Sequence, residues 1–327
     1  MSSSHRTRAY CGGELLAENF PLAEISDRLG QPDAVIWLDL CEPDARDFAV
    51  VAKEFGLAPL AVEDAMTERQ RPKVDHYSDH LFLSLYAVRL PDDGALLSSE
   101  LAVFVSPHFL ITVRKDGHFD MEPVVRAWDD AIDLASSGTA FLLWGLLDVL
   151  VDGHFTTVET LDERLDDLED QLFGEHSGAA RRAIQRRSFV LRKSVVLLRR
   201  LVTPMREVVN TLLRREQGIV DDRLAPYYQD VYDHVLRVTE WTDGLRDLVG
   251  NIVETNLTIQ GNQLNEIMKK LTSYAAIVAV PTAITGYFGQ NVHFPGIGGY
   301  GAFAVSLVLI FVLAGGLWWF LRRRGWL

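Results

Sequence analysis

The chain has 327 residues, 48% hydrophobic and 24% charged, with 45 acidic against 32 basic side chains and a net charge of −13. That length allows two domains, or one large domain with an appendage. So acidic a chain excludes nucleic acid as a partner, because phosphate binding needs a basic surface. It suits a protein that concentrates cations by its own field, although acidity alone fits many cytoplasmic proteins equally well. Cys11 and Cys41 are far apart and in no metal spacing, which points to a reducing compartment or simply to little use for sulfur. The first residues, MSSSHRTRAY, hold no apolar core. No signal peptide is therefore expected, and the first domain should stay in the cytoplasm.

Residues 1 to about 20 read as a flexible or edge segment, and from there to about residue 120 the pattern is mixed α/β. Ala34 to Leu40 (AVIWLDL) predicts a strand, Ala45 to Phe55 a short helix, and Pro59 to Met66 another with proline at its first position. Leu81 to Leu90 predicts a strand, as do Leu101 to Val105 and Phe109 to Arg114, paired through a Ser106-Pro107-His108 turn. Asp92-Asp93-Gly94 predicts a turn. His76 and His80 stand four apart, a zinc spacing on a helix; beside a strand they read as surface histidines.

Beyond residue 120 the chain turns helical. Phe141 to Val151 is apolar, and Phe155, Val158, Leu161, Leu165, Leu168 and Leu172 continue one apolar stripe among acidic residues. Gly174 to Gly178 predicts a break. Ala179 to Leu213 is rich in arginine, with Pro204 placed to kink it. An acidic helix followed by a basic one predicts an antiparallel helical hairpin. Its charges either pair with each other and with water or lie near an ion path. From Pro226, helical spacing of Val231, Val235, Val238, Trp241, Leu245, Leu248, Ile252 and Ile259 predicts a helix reaching Phe288. That is about 60 residues, or about 90 Å, and Pro281 could kink it.

From Leu271 to Leu321 there is no Asp, Glu, Lys or Arg. Leu271 to Phe288 and Tyr300 to Leu321 therefore predict two membrane spans. Lys269 and Lys270 precede the first, Arg322, Arg323 and Arg324 follow the second, and the loop between holds no basic residue. The positive-inside rule places both termini in the cytoplasm, with Trp318, Trp319 and Trp326 as an interfacial belt. In the first span Ala275, Ala279, Thr282 and Gly286 form one face of small residues, suited to close helix packing or to a narrow pore. One hairpin cannot enclose a pore, so a channel needs several copies.

The first span and its sequel read MKKLTSYAAIVAVPTAITGYFGQN, and the chain closes on RRRGWL. Upstream stand AVEDAMTERQRPKVDHYSDHLFL and PYYQDVYDHVLRV. These four segments, in this order, resemble the CorA family of magnesium channels and its ZntB-type zinc-transporting relatives, whose first span ends in Tyr-Gly-Met-Asn. The resemblance implies an α+β cytoplasmic funnel domain with a long helical stalk, followed by an α-helical transmembrane hairpin, assembled as a homopentamer in the cell inner membrane. It divides the chain into a cytoplasmic α/β domain (1–135), cytoplasmic helices (136–222), a stalk helix continuing into the first span (223–288), an external loop (289–299), the second span (300–321) and a basic tail (322–327).

By the same resemblance Gly289, Gln290 and Asn291 form the outer mouth. Neutral carbonyl oxygens there suit Mg²⁺, which sheds water reluctantly. Asn265, Met268, Leu271, Thr282 and Gly286 line the pore together with Ala275 and Ala279, and Met268 and Leu271 form a hydrophobic constriction. Asp64 and Asp230, with Glu63 nearby, form a regulatory cation site between subunits. Mg²⁺ is then both substrate and regulatory ligand, with Co²⁺ and Ni²⁺ as further passengers and no prosthetic group. The chain departs from the pattern at Gln290, where the family has Met, and its loop carries His293 in place of acidic residues. Zinc transport, coupled to protons, is the alternative. An enzyme is not expected, for want of a nucleophile elbow, phosphate loop or paired Cys motif. A membrane-anchored signalling or scaffold protein would need neither the small face nor the Asn.

Overall fold

The structure, a computed structural model, describes residues 4–67, 70–92, 94–172, 178–214, 219–290 and 300–327. They form two compact units, Met1–Gly250 and Asn251–Leu327. In the first, seven strands make one sheet: β1 (Ser4–Cys11), β2 (Glu14–Glu18), β3 (Ala34–Cys41), β4 (Lys73–His76), β5 (Leu81–Arg89), β6 (Leu97–Val105) and β7 (Phe109–Arg114). Their spatial order is β2-β1-β3-β7-β6-β5-β4. Only β3 and β7 pair in parallel.

The sequences of β3, β5 and β7 are apolar almost throughout because both sheet faces are covered there. Ile36, Leu38, Leu40, Phe82, Phe104, Ile111 and Val113 share one core with Ile25, Phe48, Val51, Ala61 and Ala65. Those partners come from α1 (Ile25–Leu29), α2 (Ala45–Glu54) and α3 (Pro59–Met66). The alternate residues Trp37, Leu83, Leu85, Leu101, Val103 and Leu110 face a second core. Its cover comes from α4 (Glu122–Asp130), α5 (Thr139–Leu172), α6 (Gly178–Leu213) and the start of α7 (Ala225–Phe288). The period-two alternation of strand side chains thus builds a three-layer α/β/α domain.

Asp44 caps α2 by accepting from the Asp47 amide at 2.7 Å, and α3 starts on Pro59. The opening segment departs from expectation. β1 is an interior strand, paired to β2 on one side and to β3 on the other; of these first two strands, β2 is the edge. Arg8 anchors β1 by bonding Asp129 of α4 at 2.6 and 3.2 Å. β4 and α4 are not among the elements the sequence predicts above, although Val124, Val125 and Trp128 share one buried face of α4. The turn at Asp93 and the break at 174–177 lie outside the described residues.

α5 and α6 carry the acidic and basic faces expected, and Arg187 of α6 stands 3.5 Å from Asp167 of α5. Arg199 reaches instead to Asp243 of α7 at 2.5 Å. Arg187 and Arg199 thus have acidic partners within the chain. Pro204 and Pro281 both lie inside helices that continue past them.

Three described helices are long and apolar enough to cross a membrane: α5, α7 and α8 (Tyr300–Arg323). In α5, 61% of the apolar stretch is buried, because it is the layer covering the sheet. In α7 and α8 that share is 6%. Apolar side chains left uncovered on two helices call for lipid or for further protein around them.

Candidate functional site

In the second unit, all seven candidate pore residues (Asn265, Met268, Leu271, Ala275, Ala279, Thr282 and Gly286) are exposed. With 3.6 residues per turn they fall within about 120° of the α7 circumference. Ser273, Ala276, Ile277, Val280, Pro281, Ile284 and Phe288 are less exposed and centre on the opposite side. A cavity of about 670 Å³ is lined by Asn262, Asn265, Met268 and Lys269 of α7 and by Trp326, just past the end of α8. The two helices thus run antiparallel.

The hydroxyls of Ser273, Thr282 and Thr285 are satisfied within their own helix. Ser273 donates to the Lys269 carbonyl at 2.8 Å, Thr282 to Val278 at 2.9 Å and Thr285 to Pro281 at 2.9 Å. That back-bonding lets a polar group sit in an apolar stretch. At Thr282 it also fixes the chemistry of the exposed face. Its one proton is spent on the backbone, so the oxygen presents lone pairs, as a cation requires.

α7 closes at Gly289, whose amide bonds the Thr285 carbonyl at 2.8 Å. A Cβ on Gly289 would stand 2.9 Å from that carbonyl oxygen, closer than side chains tolerate. Glycine is therefore the residue this closure accepts. Gln290 follows, its amide 3.4 Å from the Tyr287 carbonyl. Asn291 lies outside the described residues, as does His293. At the far end of α8, Arg322, Arg323 and Arg324 stack over Trp318, Trp319 and Phe320 at 5.0, 5.2 and 5.2 Å. This aromatic and basic band is the side-chain chemistry of a membrane interface.

The proposed regulatory carboxylates belong to the first unit. Glu63 and Asp64 lie on α3, Asp230 on α7. Among the described residues no hydrogen bond or ion pair joins Asp64 to Asp230 within the chain, and no cluster of three or more His, Cys, Asp or Glu could hold a metal. Asp64 is held by Lys73, Nζ to Oδ2 at 2.7 Å, and by Gln70 at 3.4 Å. Asp230 stands 4.0 Å from His234 Nδ1. Its charge is felt further. Asp148 is pushed up to about 6 by burial and by the charges of Asp152 and Asp230, and Asp152 is raised by burial and by Asp230. Asp148 was not singled out from sequence because it stands inside the apolar run 141–151.

His76 is exposed on β4, whereas His80 is buried, 5% exposed and stacked on Tyr77 at 5.2 Å. The expectation of two surface histidines fails for His80. Buried between Tyr77 and Phe104, it is held below the usual imidazole range by desolvation.

The profile of the family described as "CorA-like Mg2+ transporter protein" matches residues 32–323. The cobalt/magnesium transport protein CorA of Thermotoga maritima is 28% identical over 281 residues, covering 85% of this chain and 79% of its own length. The zinc transport protein ZntB of an Enterobacter species is 26% identical over 282 residues, covering 83% and 82%. The solved structure of the CorA magnesium transporter from Methanocaldococcus jannaschii superposes with a TM-score of 0.79 at 21% identity, over 98% of both chains. It is thus similar to this chain in fold from the soluble α/β domain to the terminal apolar helices. With a profile match that begins just before β3 and ends with α8, the chain belongs to the CorA-like Mg2+ transporter family, whose members are metal-ion transporters and not enzymes.

Proposed function

We propose that several copies of this chain enclose a membrane pore for divalent cations, with Mg²⁺ as the preferred ion and Co²⁺ and Ni²⁺ as further passengers. The carrying observation is the α7 stripe: seven exposed residues on one side of an apolar helix, small through the membrane stretch, ending at the glycine closure beside Gln290. In this reading residues 289–299 form the outer loop and both termini lie inside. Amide oxygens at the mouth hold the hydrated ion through its water shell, the Thr282 oxygens offer acceptors midway, and Met268 and Leu271 form the constriction that stops ions by dewetting. A negative-inside potential drives uptake by about 2.3 kcal/mol per charge per 100 mV. Intracellular cation bridging Asp64 of one subunit to Asp230 of the next, with Glu63 nearby, favours the closed state, because a bound ion selects the conformation it fits.

The competing reading is zinc transport. The likeness to a ZntB protein and Gln290 in place of Met both favour it. Ion flux into liposomes holding the purified protein, with Mg²⁺, Co²⁺, Ni²⁺ and Zn²⁺ in competition, separates the two. Mg²⁺ should compete best. Zn²⁺ flux that follows a proton gradient and ignores Mg²⁺ overturns the magnesium assignment. Asn291→Ala should abolish flux while assembly persists, and unchanged flux removes the mouth from residues 289–291.

A further inference from the structure

Of the proposed regulatory carboxylates, Asp64 already carries a cation of the chain's own. Lys73 Nζ lies 2.7 Å from Asp64 Oδ2 and, at the same time, 2.7 Å from Asp75 Oδ2. Asp64 comes from the last turn of α3, while Lys73 and Asp75 stand two apart on β4 and so share a face of the strand. The Phe82 ring flanks the ammonium at 5.6 Å. Asp64 and Lys73 are about one quarter exposed, with side chains 27% and 23% accessible, so an ion from solution can reach them.

An ammonium at this distance occupies coordination space on the carboxylate and cancels the charge that attracts a divalent ion. We propose that Lys73 is a tethered competitor for the regulatory cation at Asp64, and that Asp75 is the alternative partner to which its ammonium retreats when the cation binds. The proposal rests on the reading of Asp64 as a regulatory ligand. It gives a switch between two ion pairs of equal length, with the divalent ion deciding which one persists. Its consequence is a closing concentration set inside one subunit, by three residues, and not by the intersubunit carboxylates alone.

The two partners of Lys73 make opposite predictions. In the reconstituted full-length protein, protease resistance titrated with Mg²⁺ reads the closed state. Lys73→Gln should lower the half-protecting Mg²⁺ concentration by roughly twofold to fivefold, the range of a part-exposed ion pair. Asp75→Asn should raise it, because the ammonium loses its retreat, and Lys73→Arg should leave it near the native value. Shifts of the same sign in Lys73→Gln and Asp75→Asn, or none in either, overturn the proposal, since loss of fold would move both alike. Asp64→Asn and Asp230→Asn test the underlying reading separately. If both keep the native Mg²⁺ response, the regulatory site itself fails and the competitor with it. If they abolish the response while Lys73→Gln changes nothing, the competitor alone fails.

Discussion

Asp39 is fully buried between β3 and β7, and its carboxylate is surrounded. Arg114 donates to it through Nε at 3.2 Å and Nη2 at 2.7 Å, and Thr112 through Oγ1 at 2.7 Å. Trp37 Nε1 closes the chain of bonds on Thr112 at 3.3 Å. Each polar group answers another, so the network is tolerable in an apolar layer. Asp39→Ala leaves the Arg114 guanidinium, 11% exposed, without its counter-charge. A loss of about 3–5 kcal/mol is expected, read as a fall in the denaturant midpoint.

His154 carries a pH dependence. It is buried in α5 and donates through Nε2 to the Tyr86 carbonyl at 2.8 Å. Burial pushes its imidazole down to about 4, from 6.5 when unfolded. The unfolded chain therefore binds more protons between these values, and stability falls as pH drops from 6.5 towards 4. The full contribution is on the order of 3 kcal/mol. His154→Gln keeps a donor for Tyr86 and removes the titration, so its unfolding temperature should fall less than the native one between pH 7 and pH 4.5. An equal fall in both proteins would show that another group sets the acid limb.

At the scale of elements, α5 shows how one helix serves the whole first unit. Gly145 lets α4 dock against it: a Cβ there would meet Trp128 Cδ1 at 2.5 Å and Nε1 at 2.6 Å. Trp128 in turn donates to the Leu142 carbonyl at 3.0 Å and meets Trp37 edge-on at 4.9 Å. Gly145→Ala gains helix propensity, yet it must displace a fully buried indole. Overpacking dominates, and a net loss of about 1–3 kcal/mol is expected, with a shifted tryptophan emission spectrum. A stabilised variant with native emission would show that the indole has room to move.

The strand and helix cores of this unit were legible because strands buried on both faces read as unbroken apolar runs. AVIWLDL and the segment from Leu81 gave β3 and β5 within a residue or two of their observed bounds. β1 was missed because SHRTRAYC alternates polar and apolar residues weakly. It is held by pairing on both edges and by Arg8, contacts made with residues far along the chain.

The whole molecule poses the question of what covers the second unit. In one chain the membrane part of the α7 stripe, from Leu271 to Gly286, is left exposed, which the proposed assembly resolves by placing it around water and ions. The α8 surface, with Phe311 75% and Val308 61% exposed, would face lipid. In a Cys11→Ser, Cys41→Ser background, Thr282→Cys should react with a charged thiol reagent and lose flux. Phe311→Cys should react slowly and keep it. Equal reactivity at both positions would leave the stripe without a water-filled path.

What the sequence determined by itself was the pattern of local period: an α/β region, long amphipathic helices, two charge-free spans, and a stripe of small residues on one face of the first. Period and charge act over a few residues, so they can be read before any folding is known. Tertiary structure decided what each apolar surface meets. α5 is as apolar as a span, yet the sheet buries it, while α7 and α8 are left uncovered. It also decided the electrostatic state of the proposed site. Lys73 lies beside Asp64, and Asp148 is drawn towards neutrality near Asp230, because folding brings these charges together and removes water from between them.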